Sequence, residues 1–153
     1  MISVRQMGTA YKMEYLHPVD EKPTIEMIPY SPEYREEYRR VYNECFREMR
    51  EALDIKPYDF IQDGSFFDSG MENVYLLMDN GAFVGSVAIK GGEIDDLIVA
   101  REYQRRGYGR QILLWALEHI RSERVVLHVA EWNKKAVSLY EKTGFEIVDT
   151  IEF

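Results

Sequence analysis

The segment QRRGYG, residues 104–109, combines residue types that can bind an anion. Gly107 and Gly109 let the backbone approach a ligand closely, and the apolar run that follows predicts a helix whose first turn offers unpaired N–H groups. Arg105 and Arg106 add positive charge beside those groups. Because a helix N-terminus also carries a partial positive charge, the bend suits a phosphate or a pyrophosphate. A tight strand-to-helix turn with solvated arginines would show the same glycine pattern, so the surrounding elements must decide.

One interpretation of the bend is a dinucleotide-binding fingerprint. Glu131 follows roughly twenty residues later, at the end of the next predicted strand, where such sites place a carboxylate that binds ribose. The third glycine of that fingerprint is replaced by Ile112, however. The strands before the bend are predicted to form antiparallel hairpins, and too little chain remains for a doubly wound sheet. A dinucleotide-binding domain is therefore the least favoured interpretation.

Hydrophobic periodicity predicts the elements that precede the bend. TIEMIPY, residues 24–30, alternates in the manner of a first strand. A helix with Ser31 as its N-cap should follow, because apolar residues then recur every three or four positions as far as Leu53. Residues 54–73, broken by proline and glycine, are predicted to form a short helix and a loop.

The central strands are the best-defined part of the predicted fold. Asn80-Gly81 favours a two-residue turn between apolar segments, and Gly91-Gly92 allow a second reversal. An antiparallel meander is therefore expected at residues 74–78, 82–89 and 93–99. The elements expected after the bend and its helix are a strand at residues 124–130, a helix from its N-cap Asn133 to Gly144, and a last strand at residues 145–153.

Two motifs in this framework resemble those of one known family. QRRGYG is similar to the Q/R-x-x-G-x-G/A motif of the Gcn5-related N-acetyltransferase (GNAT) superfamily, and NKKAVSLYEKTGF, residues 133–145, is similar to its second signature, N-x-x-A-x-x-L-Y-x-x-x-G-F. Both occur in the family's order and spacing, and the resemblance covers residues 24–153. It implies an α/β (α+β) fold with a mixed, mostly antiparallel central sheet flanked by helices, in a single acetyltransferase-like domain over residues 1–153.

The resemblance also implies an enzyme, an acyltransferase that uses acetyl-coenzyme A as co-substrate. Its pyrophosphate would lie on the N–H groups of residues 105–110, and its pantetheine arm would lie beside the strand that ends at Val99, where a backbone N–H could stabilise an oxyanion. Asn133 would both cap its helix and contact the arm. The cofactor-binding residues expected on this basis are Leu97, Ile98, Val99, Gln104, Arg105, Arg106, Gly107, Tyr108, Gly109, Arg110, Asn133 and Tyr140.

Catalysis of acetyl transfer to a primary amine requires a proton acceptor, because such an amine is mostly protonated at neutral pH. Glu93 matches the position of the family's usual glutamate base. Asp95 shares its face of the strand by alternation and Asp96 lies opposite, although a β-bulge could exchange those faces. These three carboxylates and a water relay remain alternatives for the base. Tyr140 matches the tyrosine of the second signature and is expected to bond or protonate the departing thiolate.

The sequence departs from the family at both ends. Relatives normally have two strands after the second signature, but only the nine residues FEIVDTIEF follow Gly144. Residues 7–17, within an N-terminal extension at residues 1–22, alternate in a strand-like way. We expect this segment to replace the missing last strand, between the strand at residues 124–130 and the terminal strand, either in its own chain or exchanged with a partner in a homodimer.

Composition limits the remaining functions. A net charge of -8 and a pI near 5.0 disfavour a nucleic-acid partner and weakly favour a cationic substrate. The single cysteine, Cys45, excludes an intrachain disulfide, and the spacing of the three histidines does not support a metal site. No apolar run is long enough for a membrane span or a signal peptide, so a cytoplasmic location is expected.

The predicted activity is therefore direct transfer of acetyl to a primary amine, on a small molecule or a peptide, in a ternary complex. A non-catalytic acyl-coenzyme A-binding sensor or interaction module is the alternative. Acidic and aromatic residues in the loop could form a mouth for a cationic amine, and a solvated loop face explains them equally: Asp54, Asp59, Asp63 and Asp68, with Tyr58, Phe60, Phe66 and Phe67.

Overall fold

A computed structural model describes residues 8–152 as seven strands and three α-helices. The strands are β1 Thr9–Tyr15, β2 Ile28–Pro29, β3 Val74–Asp79, β4 Ala82–Lys90, β5 Glu93–Val99, β6 Val126–Ala130 and β7 Phe145–Glu152. The helices are α1 Arg35–Ala52, α2 Tyr108–His119 and α3 Lys134–Thr143. The predicted meander and the helix from Asn133 to Gly144 are confirmed to within two residues at each end, and the helix expected after the bend is α2.

The strands form one sheet in the order β2-β3-β4-β5-β6-β1-β7. Within residues 8–152, every adjacent pair is antiparallel except β5 with β6. The predicted mixed, mostly antiparallel sheet is therefore confirmed, and a doubly wound parallel sheet is excluded. No helix in this part of the chain is long and apolar enough to cross a membrane.

β1 lies between β6 and β7, in the position predicted for the N-terminal segment. Lys12 pairs with His128 on one side and with Asp149 on the other. The strand completes the sheet of its own chain. The first predicted residue of the segment, Met7, lies outside the described residues, and the limits of a single domain at residues 1–153 stay a prediction.

Replacing Met13 of β1 with alanine is expected to lower the free energy of unfolding by about 2 to 5 kcal/mol, because the methionine is fully buried between the sheet and its helices. Urea unfolding followed by circular dichroism measures the change. Leu16→Ala, at a side chain that is 44% exposed, is the control and should change the unfolding free energy by less than about 1 kcal/mol. Equal effects of the two substitutions would contradict the central position of β1.

The sheet separates two buried clusters. On one face, Ile112 and Leu113 of α2 and Val137 of α3 pack on residues such as Val84 of β4 and Leu127 of β6. On the other face, Tyr38, Val41 and Tyr42 of α1 pack with Phe83 of β4 and Ile98 of β5 in a second cluster. α1 therefore covers a different side of β4 and β5 from the two helices that carry the family-like motifs.

Three local predictions upstream of β3 are corrected. β2 is only two residues long, Ile28–Pro29, and its second residue has no N–H to donate to a neighbouring strand. Ser31 precedes a 3₁₀ turn, and its hydroxyl bonds Glu33 at 3.4 Å without capping a backbone N–H. Between α1 and β3, a fully described stretch, the predicted short helix is replaced by two 3₁₀ turns, Gly64–Asp68 and Met71–Asn73.

Candidate active site

β5 and β6 separate immediately after they begin. They pair only at Glu93 with Val126 and at Ile94 with Leu127, and then open into a cleft. The cleft contains a cavity of about 300 Å³ whose lining includes Asp95, Asp96, His128 and Tyr140, together with Phe46 and Met49 of α1. The splayed strands thus place titratable groups of two strands and one helix around a single cavity.

A second cavity of about 340 Å³ lies at the N-terminus of α2. Its lining includes Gln104, Arg105, Gly107, Tyr108, Gly109 and Lys135. Four residues line both cavities: Leu97, Asn133, Ala136 and Leu139. The two cavities therefore form one trough, which runs from the bend at α2 to the carboxylates of β5.

The bend has the geometry of an anion site. Gly107 has φ +83° and precedes the first turn of α2, and a Cβ atom built on it would meet nothing within 4 Å. Arg105 is also left-handed, at φ +67°. A Cβ atom built on Gly109 would make ordinary van der Waals contact with Cδ2 of Leu139, at 3.5 Å. Backbone N–H groups of the first turn therefore face an unobstructed region with Arg105 and Lys135 at its border.

β5 contains the β-bulge that the sequence allowed. Ala88 pairs with Asp95 but Ser86 pairs with Ile98, so β5 has one extra residue there, and Asp96 adopts φ +48°. After the bulge, Ile98 packs into the cluster under α1 and Leu97 packs toward α2 and α3. Asp96 interacts with Tyr42 of α1, so it shares the α1 side with Asp95 rather than lying opposite it.

The local environment changes the proton affinity of two groups in the cleft. Burial raises the pKa of Asp96 to about 6, and the nearby carboxylate of Asp95 adds to the increase. Burial, with a smaller contribution from Asp95, raises the pKa of Tyr140 to about 12. At neutral pH the cleft therefore holds a carboxylate of unusual basicity and a tyrosine hydroxyl that stays protonated.

Comparison with family models supplies the deciding observation. A model described as "Acetyltransferase (GNAT) family" matches residues 30–145, which is most of the chain. This chain belongs to the GNAT acetyltransferase family. A GNAT-family acetyltransferase from Colwellia psychrerythraea shares the fold, with a TM-score of 0.72 at 9% identity over 95% of this chain and 54% of that one. The predicted family and fold class are confirmed.

Two curated relatives of this GNAT chain also have acetyltransferase names. It is 42% identical over 65 residues to GCN5-related N-acetyltransferase 6, chloroplastic, of Arabidopsis thaliana, a match that covers 40% of this chain and 23% of the relative. It is 23% identical over 113 residues to the spermine/spermidine N(1)-acetyltransferase of Bacillus subtilis, over 71% of each chain. The GNAT chain thus spans 23% of the plant relative's length and 54% of the Colwellia protein's.

Most cofactor-binding residues predicted for the GNAT chain line the trough, but three do not place their side chains there. Ile98 is 3% exposed and belongs to the core under α1. The guanidinium of Arg106 lies 5.6 Å from the ring centre of Tyr103. The side chain of Arg110 bonds Glu21, away from the bend. The side chains of Ile98 and Arg110 are therefore engaged elsewhere, whereas that of Arg106 lies over Tyr103, a residue that lines the trough.

Gln104 and Asn133 of the GNAT motifs have structural contacts as well. Nε2 of Gln104 donates to the carbonyl of Val99 at 3.0 Å and so ties the bend to the end of β5. Oδ1 of Asn133 accepts from the N–H of Ala136 at 3.2 Å, which confirms the predicted N-cap. Asn133 also lines both cavities, so its side chain lies beside the trough while Oδ1 caps α3.

Glu93, the predicted base of the GNAT chain, is separated from the other carboxylates. It is not among the residues that line the cleft cavity, whereas Asp95 and Asp96 are. Its Oε1 lies 3.6 Å from Nδ1 of His128, and His128 does line the cavity. The structure therefore brings Asp95, Asp96 and Tyr140 together and leaves Glu93 one contact away.

Several lining residues of the GNAT trough were missed from the sequence. Phe46 and Met49 belong to an apolar helical stripe that indicated only core, and His128 was considered only as a metal ligand. Lys135 stands inside the second signature, where its position two residues after Asn133 was the available signal. No group of three or more metal-ligating side chains occurs among residues 8–152.

The loop proposed as an acidic, aromatic mouth has another structure. Phe66 and Phe67 pack on Tyr38 in the cluster under α1. Asp59 forms an ion pair with Arg47 at 2.7 Å, and Asp63 caps a 3₁₀ turn through Ser65. Phe66 and Phe67 therefore belong to the core, while Phe60 is 43% exposed and Tyr58 donates to Asp54 at the surface.

Proposed function

We propose that this GNAT chain transfers the acetyl group of acetyl-coenzyme A to a primary amine by direct attack in a ternary complex. The observation that carries the proposal is the continuous trough, which joins an anion site at α2 to a cleft with two carboxylates. Family membership supports the same chemistry. No second function is favoured by a feature of the described residues.

The residues of the trough fit coenzyme A along its length. N–H groups of the first turn of α2, with Arg105 and Lys135, would hold the pyrophosphate. Leu97, Ala136 and Leu139 give an apolar wall for the pantetheine arm, and Asn133 adds a polar contact. Acetyl-coenzyme A supplies an activated thioester acetyl group, which this placement directs into the cleft.

An acyl-enzyme is not needed for this reaction. The thiol of Cys45 lies 3.2 Å from the carbonyl oxygen of Val99, to which it donates. Burial raises its pKa to about 11, so almost none of it is thiolate at neutral pH. Cys45 is therefore a poor nucleophile, and this supports attack by the amine itself.

Asp95 and Asp96 are the groups suited to the acceptor. Two adjacent carboxylates attract an ammonium group, and the amine must lose a proton before it attacks. We assign the proton acceptor to Asp96, because its raised pKa makes it the more basic carboxylate in the cleft. Tyr140, which lines the same cavity and stays protonated, donates a hydrogen bond to the departing thiolate.

A polyamine is the acceptor class that we propose. The Bacillus subtilis relative is named for spermine and spermidine, and the paired carboxylates of the cleft suit a polycation. The net charge of -8 also favours approach of a cation.

Incubation of the purified chain with acetyl-coenzyme A and a panel of amines tests the function. Spermine, spermidine, free amino acids and a lysine peptide make up the panel, and mass spectrometry detects a gain of one acetyl group. We expect acetylated polyamine and stoichiometric release of free thiol. Binding of coenzyme A without acetylation of any amine would indicate the non-catalytic module instead, and no binding of coenzyme A would refute the proposal.

A further inference from the structure

The segment that links β1 to β2, residues 16–27, contacts α2 through Glu21, Lys22 and Thr24 and is called the strap here. At its start, the N–H groups of Leu16 and His17 donate to the carbonyl of Gly144, at 3.1 and 2.9 Å. Further along, the N–H and the hydroxyl of Thr24 both bond Oε1 of Gln111, at 2.6 and 3.1 Å. The strap thus joins the end of α3 to the first turn of α2.

Arg110 is the centre of this connection. Its Nε lies 3.2 Å from each carboxylate oxygen of Glu21 on the strap, and a third bond runs from Nη2 to Oε1. Its Nη1 donates to the hydroxyl of Thr143 at 3.3 Å. That buried hydroxyl donates in turn to the carbonyl of Leu139 at 2.7 Å. The guanidinium of Arg110 lowers the pKa of Glu21, as expected for an ion pair.

These contacts join the two walls of the trough. Gly107 and Gly109 of the bend form one wall, and Leu139 of α3 belongs to the other. A Cβ atom built on Gly109 of one wall would lie 3.5 Å from Leu139 of the other, and the next residue, Arg110, bridges the walls through Thr143. Arg110, whose side chain does not itself line the trough, therefore ties one wall to the other.

We propose that Glu21 and Arg110 are positioning residues that hold the trough in its coenzyme A-binding geometry. This inference rests on the proposed function, because it assumes that the trough takes coenzyme A. A ligand that contacts both walls gains affinity when their spacing is set before it binds. Arg110 therefore serves the cofactor indirectly, by its bond to Glu21.

The ion pair between Arg110 and Glu21 is too exposed to add much to the free energy of unfolding. The side chains of Arg110 and Glu21 are 31% and 43% exposed, and ion pairs of that exposure add little to folding free energy. Loss of the pair should thus change coenzyme A affinity without a large change in melting temperature. A direct phosphate ligand would show a different response to charge exchange, which gives the test.

Calorimetric titration with coenzyme A should be made on wild type, Glu21→Gln, Arg110→Glu and the exchanged double variant Glu21→Arg/Arg110→Glu. We expect each single substitution to raise Kd about tenfold and the double variant to return to within about threefold of wild type. Lys22→Gln is the matched control, because Lys22 is also on the strap and pairs with Glu118 near the other end of α2 at 3.9 Å. It should leave Kd unchanged.

Three results would overturn the inference. A double variant as weak as Arg110→Glu alone would make Arg110 a direct phosphate ligand, and an unchanged Kd in Glu21→Gln would remove any role for the pair. Equal weakening by Lys22→Gln would indicate general loosening of the strap. In steady-state assays, KM for acetyl-coenzyme A should rise while kcat and KM for the amine stay within about twofold. Wild type that does not bind coenzyme A would instead refute the proposed function.

Discussion

Replacing Gly107 with glutamate is expected to abolish measurable coenzyme A binding in a protein that still folds. Nothing lies within 4 Å of a Cβ atom at this position, so the new side chain extends into the region that the phosphates would occupy. Its carboxylate would repel the pyrophosphate and compete for the N–H groups of α2. Calorimetric titration should show Kd raised by more than about 100-fold, a loss of roughly 3 kcal/mol.

The chain offers a matched control for this substitution. Gly81, in the turn between β3 and β4, has φ +82° against +83° for Gly107, and its Cβ position is equally unobstructed. Gly81→Glu therefore introduces the same charge with the same backbone strain, far from the trough. It should bind coenzyme A like wild type, with a melting temperature similar to that of Gly107→Glu. If Gly107→Glu also binds normally, the bend does not hold the pyrophosphate.

Asp96→Asn is expected to slow acetyl transfer by about 100- to 10,000-fold, because it removes the proposed proton acceptor. In wild type, kcat/KM should fall tenfold per pH unit below about pH 6, where Asp96 with its raised pKa becomes protonated. The variant should lack this acidic limb. Asparagine is well tolerated at the φ of +48° found at this position, so the backbone of the bulge should persist.

The pH dependence of thermal stability distinguishes loss of the proton acceptor in Asp96→Asn from damage to the fold. Burial raises the pKa of Asp96 from 3.8 to about 6, so the folded protein holds the proton more tightly than the unfolded chain. The charged carboxylate of Asp96 therefore lowers the free energy of unfolding progressively as pH rises from about 4 to about 6. The melting temperature of Asp96→Asn should exceed that of wild type at pH 8 but not at pH 4.

Glu93→Gln is the control for activity. A larger loss of activity in Glu93→Gln than in Asp96→Asn would return the base to Glu93.

Local signals explain which elements were predictable. Asn80-Gly81 sets the β3–β4 turn, and Asn133 and Gly144 bound α3, each by a preference that acts within a few residues. The bend at Gly107 was equally predictable from the sequence, because the requirement for a left-handed residue before α2 is also local. These features needed no knowledge of distant contacts.

The features that were missed depend on tertiary contacts. Alternation placed Asp96 opposite Asp95, and only pairing with β4 fixes the extra residue that brings both to the α1 side. The partner of Arg110 is 89 residues away along the chain, so no sequence spacing could show that its side chain leaves the bend. β2 was overpredicted for a similar reason, since alternation over residues 24–30 does not show that only Ile28 and Pro29 pair with β3.

The position of β1 also bears on the order in which the protein is synthesised and folded. During translation the meander of β3, β4 and β5 can pair as soon as it emerges, because its turns are short. β1 emerges before all of them, but both of its neighbours, β6 and β7, emerge last, and the ion pair between Glu14 and Arg124 closes across 110 residues. β1, the first strand of the described residues, therefore stays unpaired until β6 and β7 have been synthesised, and during that interval it is most accessible to chaperones and to incorrect strand pairing.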